Sequence, residues 1–158
     1  MEHLHHYTTQ LEWTGNNGSG TNNYKSYERS YTISIENKPP ILGSSDSAFR
    51  GDVTKYNPED LLVSSLSACH MLWYLHLCSA AGIIVVSYTD KANGTMIEKQ
   101  DGCGCFTEVT LQPTVFVANS SMIEMATQLH KKAHAYCFIA NSVNFPVKHL
   151  PVINAISL

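Results

Sequence analysis

The sequence predicts an α+β protein. The first third of the chain carries short runs of alternating apolar residues, a long apolar helix follows, and the second half combines further strand-like runs with a second helix. Strands that cluster between helices, without a regular alternation of strand and helix, are typical of α+β folds. A length of 158 residues suits one domain, which we expect to span residues 1–158.

The first third of the chain is predicted to form an antiparallel meander of three strands. Segment 8–13 alternates weakly, and segment 27–35 places Tyr27, Arg29, Tyr31, Ile33 and Ile35 on one face, the period-2 pattern of a strand. Residues 15–23 are rich in glycine and asparagine, which favour turns. Two prolines end the second strand, and a third strand is expected within residues 41–49.

A long helix is predicted to begin at Asn57 and to end near Gly82. Asn57 is a favourable N-cap, and Pro58 suits the first helical position. Apolar residues occupy almost every face, so we expect a central and buried helix. Serines, histidines and a cysteine interrupt residues 61–84, which makes this segment too polar to span a bilayer. No membrane partner is therefore expected.

The second half is predicted to contain strands around a second helix. Ser121 followed by Glu124 has the pattern of a capping box and predicts the start of that helix. The strand-like runs lie at residues 83–89, 94–98, 106–117 and 147–153. The expected element order is βββ-α-βββ-α-β.

Charge and composition exclude some classes of partner. The formal net charge is -3, and no basic stretch is longer than Lys131–Lys132. Nucleic acids and anionic membranes are therefore poor candidates. The beginning of the sequence lacks the basic and apolar regions of a secretion signal, so a cytoplasmic location is expected.

The cysteines are the first candidates for chemistry. Their number is odd, five, which favours a reducing compartment without a structural disulfide framework. Cys69 lies on the long helix and Cys137 near the end of the second helix. From the residues alone, both could be inert core cysteines, because free cysteine is among the most buried residue types.

Two segments around these cysteines change that interpretation. The sequence NPEDLL at residues 57–62, followed by Cys69 after Ser and Ala, resembles the NPEEL…aaC signature of the OsmC/Ohr family. The sequence AHAYC at residues 133–137 resembles the second signature of that family, a helix that ends in cysteine. The chain looks like an OsmC-like branch of this family, whose Ohr members confer organic hydroperoxide resistance. Asp60 departs from the first motif, which has a second glutamate there.

The resemblance implies both a fold and an activity. The fold would be OsmC-like, with antiparallel sheets around two helices and the first helix buried centrally in an interwoven homodimer. The activity would be that of a thiol peroxidase for organic hydroperoxides, without a cofactor. Cys69 would attack the peroxide as a thiolate and become a sulfenic acid, and Cys137 would condense with it to a disulfide. A dithiol donor, a lipoyl-bearing protein in related enzymes, would restore both thiols.

The family also implies an arginine that stabilises the attacking thiolate and is held by the glutamate of the first motif. Glu59 matches that glutamate, and the sequence offers two arginines, Arg29 and Arg50, of which Arg50 is slightly favoured. Glu59 and Cys69 are ten residues apart, about 15 Å along a helix. Glu59 must therefore act through the arginine or serve the site of a second copy. We expect the site at a subunit interface.

Other functions and other sites stay open at this point. A non-catalytic dimeric binding protein for an apolar ligand, with both cysteines as packing, is the main alternative. Zinc binding by Cys103 and Cys105 is disfavoured, because the common ligand spacings are missing.

Several aromatic residues near the cysteines are also ambiguous. His70 could belong to the site, but a packed core histidine is the better interpretation. His130 and His134 are expected on a partly exposed helix face. Trp73 and Phe138 could line an apolar peroxide pocket or be plain core residues.

Overall fold

The computed structural model describes residues 3–156. The chain divides into two compact units, one that ends at Leu61 and one that begins at Leu62. The described residues form helices and three small sheets, so the predicted α+β class is confirmed. That the two units make up one domain stays a prediction.

The first unit contains the predicted meander. Strands β1 (Gln10–Trp13), β2 (Tyr31–Ser34) and β3 (Ile41–Gly43) pair antiparallel in the order β1-β2-β3. The strands are shorter than predicted. The third ends early because the Asp46 carboxylate accepts the Ala48 N–H at 2.7 Å and starts a short 3-10 turn instead.

Helix α1 (Pro58–Ala80) has the predicted ends. The Asn57 side chain accepts the Asp60 N–H at 2.7 Å, and the Asp60 carboxylate accepts the Asn57 N–H at 3.3 Å, which is a reciprocal cap. At the other end Gly82 has a φ of 71°, and the Ile83 N–H bonds to the Cys78 carbonyl at 2.9 Å. This is a Schellman motif, which requires the left-handed backbone that glycine provides.

The burial of α1 differs from the prediction. Within the chain only one face of the helix is buried, because Leu72 on another face is 63% exposed. By length and composition alone, this 23-residue helix could cross a membrane. The prediction that this segment is too polar to do so is therefore wrong. Core helices of globular proteins can have the same length and composition.

The second unit holds two sheets, with the orders β4-β7-β9 and β5-β6-β8. The strands are β4 (Val85–Asp90), β5 (Asn93–Glu98), β6 (Gly104–Leu111), β7 (Pro113–Val117), β8 (Val147–His149) and β9 (Val152–Ala155). Strands β8 and β9 pair parallel with β6 and β7, so these two sheets are mixed rather than antiparallel throughout.

Two predicted strands are each divided in the structure. The predicted strand 106–117 breaks at Gln112, whose N–H donates to the Asp90 carboxylate at 2.7 Å instead of to a neighbouring strand. The next strand, β7, begins at Pro113, which has no N–H to donate. The predicted strand 147–153 likewise breaks before Pro151. Each break lets the chain move from one sheet of the second unit to the other.

Helix α2 (Ile123–Tyr136) packs against α1 around the buried residues Tyr74, Leu77, Ala126, Leu129 and Ala133. Its start differs from the prediction. Ser121 lies in a 3-10 turn and donates to the Asn119 side chain at 2.5 Å, so the predicted capping box is not formed.

Candidate active site

Cys69 lies on α1, one turn after the buried residue Leu66. Its side chain is partly buried, and its thiol is free. Residues three and four positions further along a helix share a face with the first residue. Leu72 and Trp73 therefore lie next to Cys69 along this face of α1.

Cys137 is the first residue after α2 and is only 1% exposed. Its N–H donates to the His134 carbonyl at 3.2 Å, and its carbonyl accepts the Asn141 N–H at 3.0 Å. The sulfur accepts the Ala140 N–H at 3.4 Å. The end of α2 and the turn that follows therefore fix the position of this thiol.

The thiols of Cys69 and Cys137 adjoin each other. Burial, and next the interaction with the Cys69 thiol, raise the pKa of Cys137 to about 11. Cys137 is therefore a protonated thiol at neutral pH. The free thiols of Cys69 on α1 and of Cys137 at the end of α2 therefore lie near each other in the fold.

An open groove of about 270 Å³ lies along the same stretch of α1, lined by Leu72, Trp73 and His76. The Trp73 ring contacts the rings of Tyr136 and Phe138, with centroid separations of 5.2 and 5.6 Å. These two aromatic residues flank Cys137 in the sequence. The cysteine pair therefore has an apolar, aromatic neighbourhood that is open to solvent.

Arg29 is held firmly within the first unit. Its guanidinium lies 4.2 Å from the centroid of the Tyr24 ring and 4.3 Å from that of Tyr27. It also donates to the carbonyls of Tyr27, at 2.6 Å, and Tyr24, at 2.7 Å. Both aromatic faces and both carbonyls stabilise the cation and fix its orientation.

Arg50 and Glu59 are not arranged as the family resemblance implies. Arg50 is exposed and has a φ of 65° at the end of a 3-10 turn. Within residues 3–156 the ion pairs are Lys55–Asp52 at 3.3 Å and Lys148–Glu108 at 2.6 Å, so neither arginine pairs with Glu59. The expected ion pair between Glu59 and an arginine is not formed in this structure.

A group of four histidines in the second unit was not foreseen from the sequence. His70 Nε2 and His130 Nδ1 are 2.9 Å apart, and the His149 ring lies 5.5 Å from that of His70 and 5.3 Å from that of His134. His70 is a core histidine, as favoured from the sequence. His130 is 1% exposed, so the expectation that it lies on a partly exposed face is wrong.

Burial makes these histidines poor bases. Burial, followed by the charges of His149 and His134, lowers the pKa of His70 to about 4. Burial, followed by His70 and His149, lowers the pKa of His130 to about 3. Both are neutral at pH 7. The signal that could have revealed them is the spacing of His130 and His134, which share the inner face of α2 with Ala126 and Ala133.

The other three cysteines are away from the Cys69–Cys137 pair. Cys78 is buried in the core of the second unit, where burial raises its pKa. Cys103 and Cys105 are exposed on the β5–β6 hairpin. Within the described part of the chain no group of three or more His, Cys, Asp or Glu side chains is arranged to hold a metal ion.

Comparison with known proteins identifies the family. The family model of OsmC-like proteins matches residues 50–149. An OsmC-like protein of Vibrio cholerae has a similar structure, with 27% identity and a TM-score of 0.84 over 94% of this chain and 100% of its own. No curated protein sequence matches significantly.

Two more distant structures share the fold. The OsmC-like protein of Mycoplasma pneumoniae is 17% identical, with a TM-score of 0.71 over 95% of this chain and 98% of its own. An organic hydroperoxide resistance protein of Elizabethkingia anophelis is 21% identical, with a TM-score of 0.67 over 99% of this chain and 100% of its own. The chain has the OsmC fold and belongs to the family of OsmC-like proteins.

Proposed function

We propose that this protein is a thiol-dependent peroxidase for organic hydroperoxides. The observation that carries the proposal is that the thiols of Cys69 and Cys137 lie close enough for the Cys69 thiol to raise the pKa of Cys137. Two neighbouring free thiols can be oxidised to a disulfide, and the disulfide reduced again, without a large movement of the backbone. The name of the Elizabethkingia anophelis structure, an organic hydroperoxide resistance protein, supports the substrate class.

The environments of the two thiols divide the roles. The thiolate is the nucleophilic form of cysteine. Cys137 is almost fully buried and its pKa is raised to about 11, so it is a poor nucleophile at neutral pH. Cys69 is less buried and lies beside the groove. Cys69 is therefore the attacking residue and Cys137 the resolving residue.

The reaction balances with these two residues. The Cys69 thiolate attacks the outer peroxide oxygen and the O–O bond breaks. The alkoxide that leaves takes up the proton that the Cys69 thiol had released and becomes the alcohol. Cys69 is now a sulfenic acid. The Cys137 sulfur attacks the Cys69 sulfur and loses its proton, and the hydroxyl of the sulfenic acid leaves as water. One hydroperoxide and two thiols thus give one alcohol, one water and one disulfide.

The groove next to Cys69 is suited to the organic part of the substrate. Leu72 and Trp73 offer apolar surface, and Phe138 is 65% exposed beside them. Burial of an apolar substituent there gains about 25 cal/mol for each Å² removed from water. Hydrogen peroxide has no such substituent, so organic hydroperoxides are the preferred class.

The remaining parts of the cycle follow from the family resemblance. An external dithiol, which a lipoyl-bearing protein carries in the related enzymes, would reduce the disulfide by exchange. We further propose a cytoplasmic homodimer, in keeping with the five free thiols and with the exposed Leu72 of α1.

The direct test is a count of thiols. Reduced protein is treated with one equivalent of cumene hydroperoxide, and free thiols are counted by alkylation and mass spectrometry. We expect a loss of two thiols in the natural protein and in Cys103→Ser, the control, but no loss in Cys69→Ser. A loss of thiols in Cys69→Ser at the same rate would contradict the assignment.

A second candidate function is the binding of an apolar ligand without catalysis, because the open groove at Trp73 is apolar. In that case all five cysteines would oxidise slowly and without preference, and cumyl alcohol, the product of cumene hydroperoxide reduction, would bind as tightly as the hydroperoxide. Catalysis predicts rapid and selective oxidation instead.

A further inference from the structure

A second pair of thiols lies at the tip of the β5–β6 hairpin. Cys103 and Cys105 are exposed free cysteines with only Gly104 between them. Cys105 lies opposite Ile97 in the antiparallel pair. Cys103 directly precedes β6, and its carbonyl accepts the Lys99 N–H at 2.7 Å. Neither thiol belongs to the candidate active site.

The backbone around this pair is fixed. The hairpin is closed by the three-residue loop 100–102, which ends in a glycine with a φ of 82°. The Asp101 carboxylate accepts the Cys103 N–H at 3.0 Å. A Cβ on Gly104 would lie 2.7 Å from the Ile97 carbonyl oxygen, so this position requires glycine. Both cysteines therefore project from a well-defined strand.

The two side chains share the face of the hairpin that points to solvent. Phe106 packs against the core around Val109, so its neighbour Cys105 points the other way. Cys103, two residues before Cys105, lies on that same face. Lys99 is opposite Cys103, and directly opposed residues of an antiparallel pair share a face. A basic residue therefore belongs to the same face as the two cysteines.

The separation of alternate residues along a strand favours a metal ion shared by Cys103 and Cys105 over a disulfide between them. Alternate residues of a strand have Cα atoms about 6.7 Å apart, at the wide limit of the range for disulfides, whose usual separation is about 5.5 to 6 Å. Two sulfurs on opposite sides of a two-coordinate ion are roughly 4.6 Å apart, for a metal–sulfur distance of about 2.3 Å.

We propose that Cys103 and Cys105 form a two-thiolate binding site for Cu(I). Soft thiolates favour Cu(I), zinc and iron–sulfur clusters among the metals of the first transition row. Zinc prefers four ligands, and no third Cys, His, Asp or Glu side chain joins this pair within residues 3–156. Binding releases two protons and leaves one net negative charge, which Lys99 partly offsets.

The test removes the other thiol pair first. The variant Cys69→Ser/Cys137→Ser, reduced and kept free of oxygen, is titrated with Cu(I) in competition with the chromophoric chelator bathocuproine disulfonate. We expect one equivalent of Cu(I) to bind. Adding Cys103→Ser or Cys105→Ser should weaken binding at least 100-fold, whereas Thr107→Ser on the same strand is the control that leaves it unchanged.

Two further measurements make the outcome decisive. Circular dichroism establishes that each variant is folded, and Zn(II) is titrated in parallel. The proposal is overturned if less than one equivalent of Cu(I) binds, if Cys103→Ser binds as the parent does, or if Zn(II) binds equally tightly. The result does not depend on peroxidase activity, since Cys69 and Cys137 are absent from the protein tested.

Discussion

Two cysteines of the same chain differ in their chemistry because their surroundings differ. Cys137 is buried at the end of α2 and is kept protonated by burial and by its neighbour Cys69. Cys69 is partly accessible and lies beside an open apolar groove. The division of labour in the proposed reaction follows from this difference at the scale of single side chains.

Replacement of the resolving residue should stop the reaction halfway. In Cys137→Ser the first attack by Cys69 remains possible, but the sulfenic acid has no thiol partner. We expect a Cys69 adduct with dimedone, a reagent for sulfenic acids, after one equivalent of cumene hydroperoxide. Cys105→Ser, the control, should give no lasting adduct. The absence of an adduct in Cys137→Ser would contradict the assigned roles.

The arginines differ in how well they are ordered, and this changes the expectation drawn from the sequence. Arg29 is held between Tyr24 and Tyr27, whereas Arg50 is exposed. A preorganised cation stabilises a thiolate at a smaller entropic cost. Because the family resemblance implies an arginine beside the attacking thiolate, and Arg29 is the better ordered of the two, we propose that Arg29→Gln slows the oxidation of Cys69 roughly 10- to 100-fold, which corresponds to about 1.4 to 2.8 kcal/mol.

The matched control for this measurement is Arg50→Gln, and the rate is followed by stopped-flow mixing with cumene hydroperoxide. Arg50→Gln should change the rate less than twofold. If Arg50→Gln has the larger effect, the assignment of Arg29 is wrong. Tyr24→Ala should lie between the two, because it removes one of the two rings that hold the guanidinium.

At the scale of the elements, α1, α2 and β8 meet at four histidines. The buried nitrogens His70 Nδ1, His130 Nε2 and His134 Nδ1 have no partner within the described chain. An unpaired buried polar group costs about 1 to 3 kcal/mol, and a buried charge costs more. These elements therefore pack well only while the histidines are neutral.

Acid should consequently destabilise the protein. The pKa of His70 is lowered to about 4 and that of His130 to about 3, from the ordinary value of 6.5. Between these pKa values and pH 6.5, both histidines are protonated in the unfolded chain but remain neutral in the folded chain. Stability is full above pH 6.5 and falls as the pH decreases through this window, by about 1.4 kcal/mol per pH unit for each histidine.

Urea unfolding at several pH values between 7 and 4 measures this dependence. His130→Asn should reduce the slope, whereas His76→Asn, a change of an exposed histidine, should leave it unchanged. Stability that does not vary between pH 6.5 and 4 in the natural protein would show that the histidines do not remain neutral in the fold.

The elements show which features a single sequence can reveal. The ends of α1 were predictable, because Asn57, Pro58 and Gly82 act through bonds within a few residues. The breaks at Gln112 and Pro151 were missed, because they depend on which strands pair across the two sheets. The start of α2 was mispredicted for a related reason, since Ser121 found a closer partner in Asn119.

The candidate site was predictable only in part. Cys69 and Cys137 were found through their family motifs, and the structure brings these two thiols together. The setting of Arg29 depends on contacts with two tyrosines in a loop without a regular pattern. The burial of His130 depends on the packing of α2 against α1, which local periodicity does not specify.

At the scale of the whole molecule, we expect a second copy of the chain to cover the exposed apolar surface on α1. Leu72 is 63% exposed on a helix that is apolar on most faces. Contiguous exposed apolar surface often marks an interface. In keeping with the proposed homodimer, we expect light scattering coupled to gel filtration to give a mass of two chains.

The matched variants for this prediction are Leu72→Glu and Val53→Glu. Leu72→Glu should shift the mass toward one chain, whereas Val53→Glu, a change of a residue that is also exposed but lies in a loop, should not. A single-chain mass for the natural protein at concentrations well above micromolar would contradict the homodimer.

The central claim is that the sulfurs of Cys69 and Cys137 bond to each other during turnover. Peptide mapping without reduction, after one equivalent of cumene hydroperoxide, tests it most directly. The account predicts one cross-linked species, in which the peptide containing Cys69 is joined to the peptide containing Cys137. A disulfide between other cysteines, or Cys69 oxidised to a sulfinic acid beside a free Cys137, would contradict it.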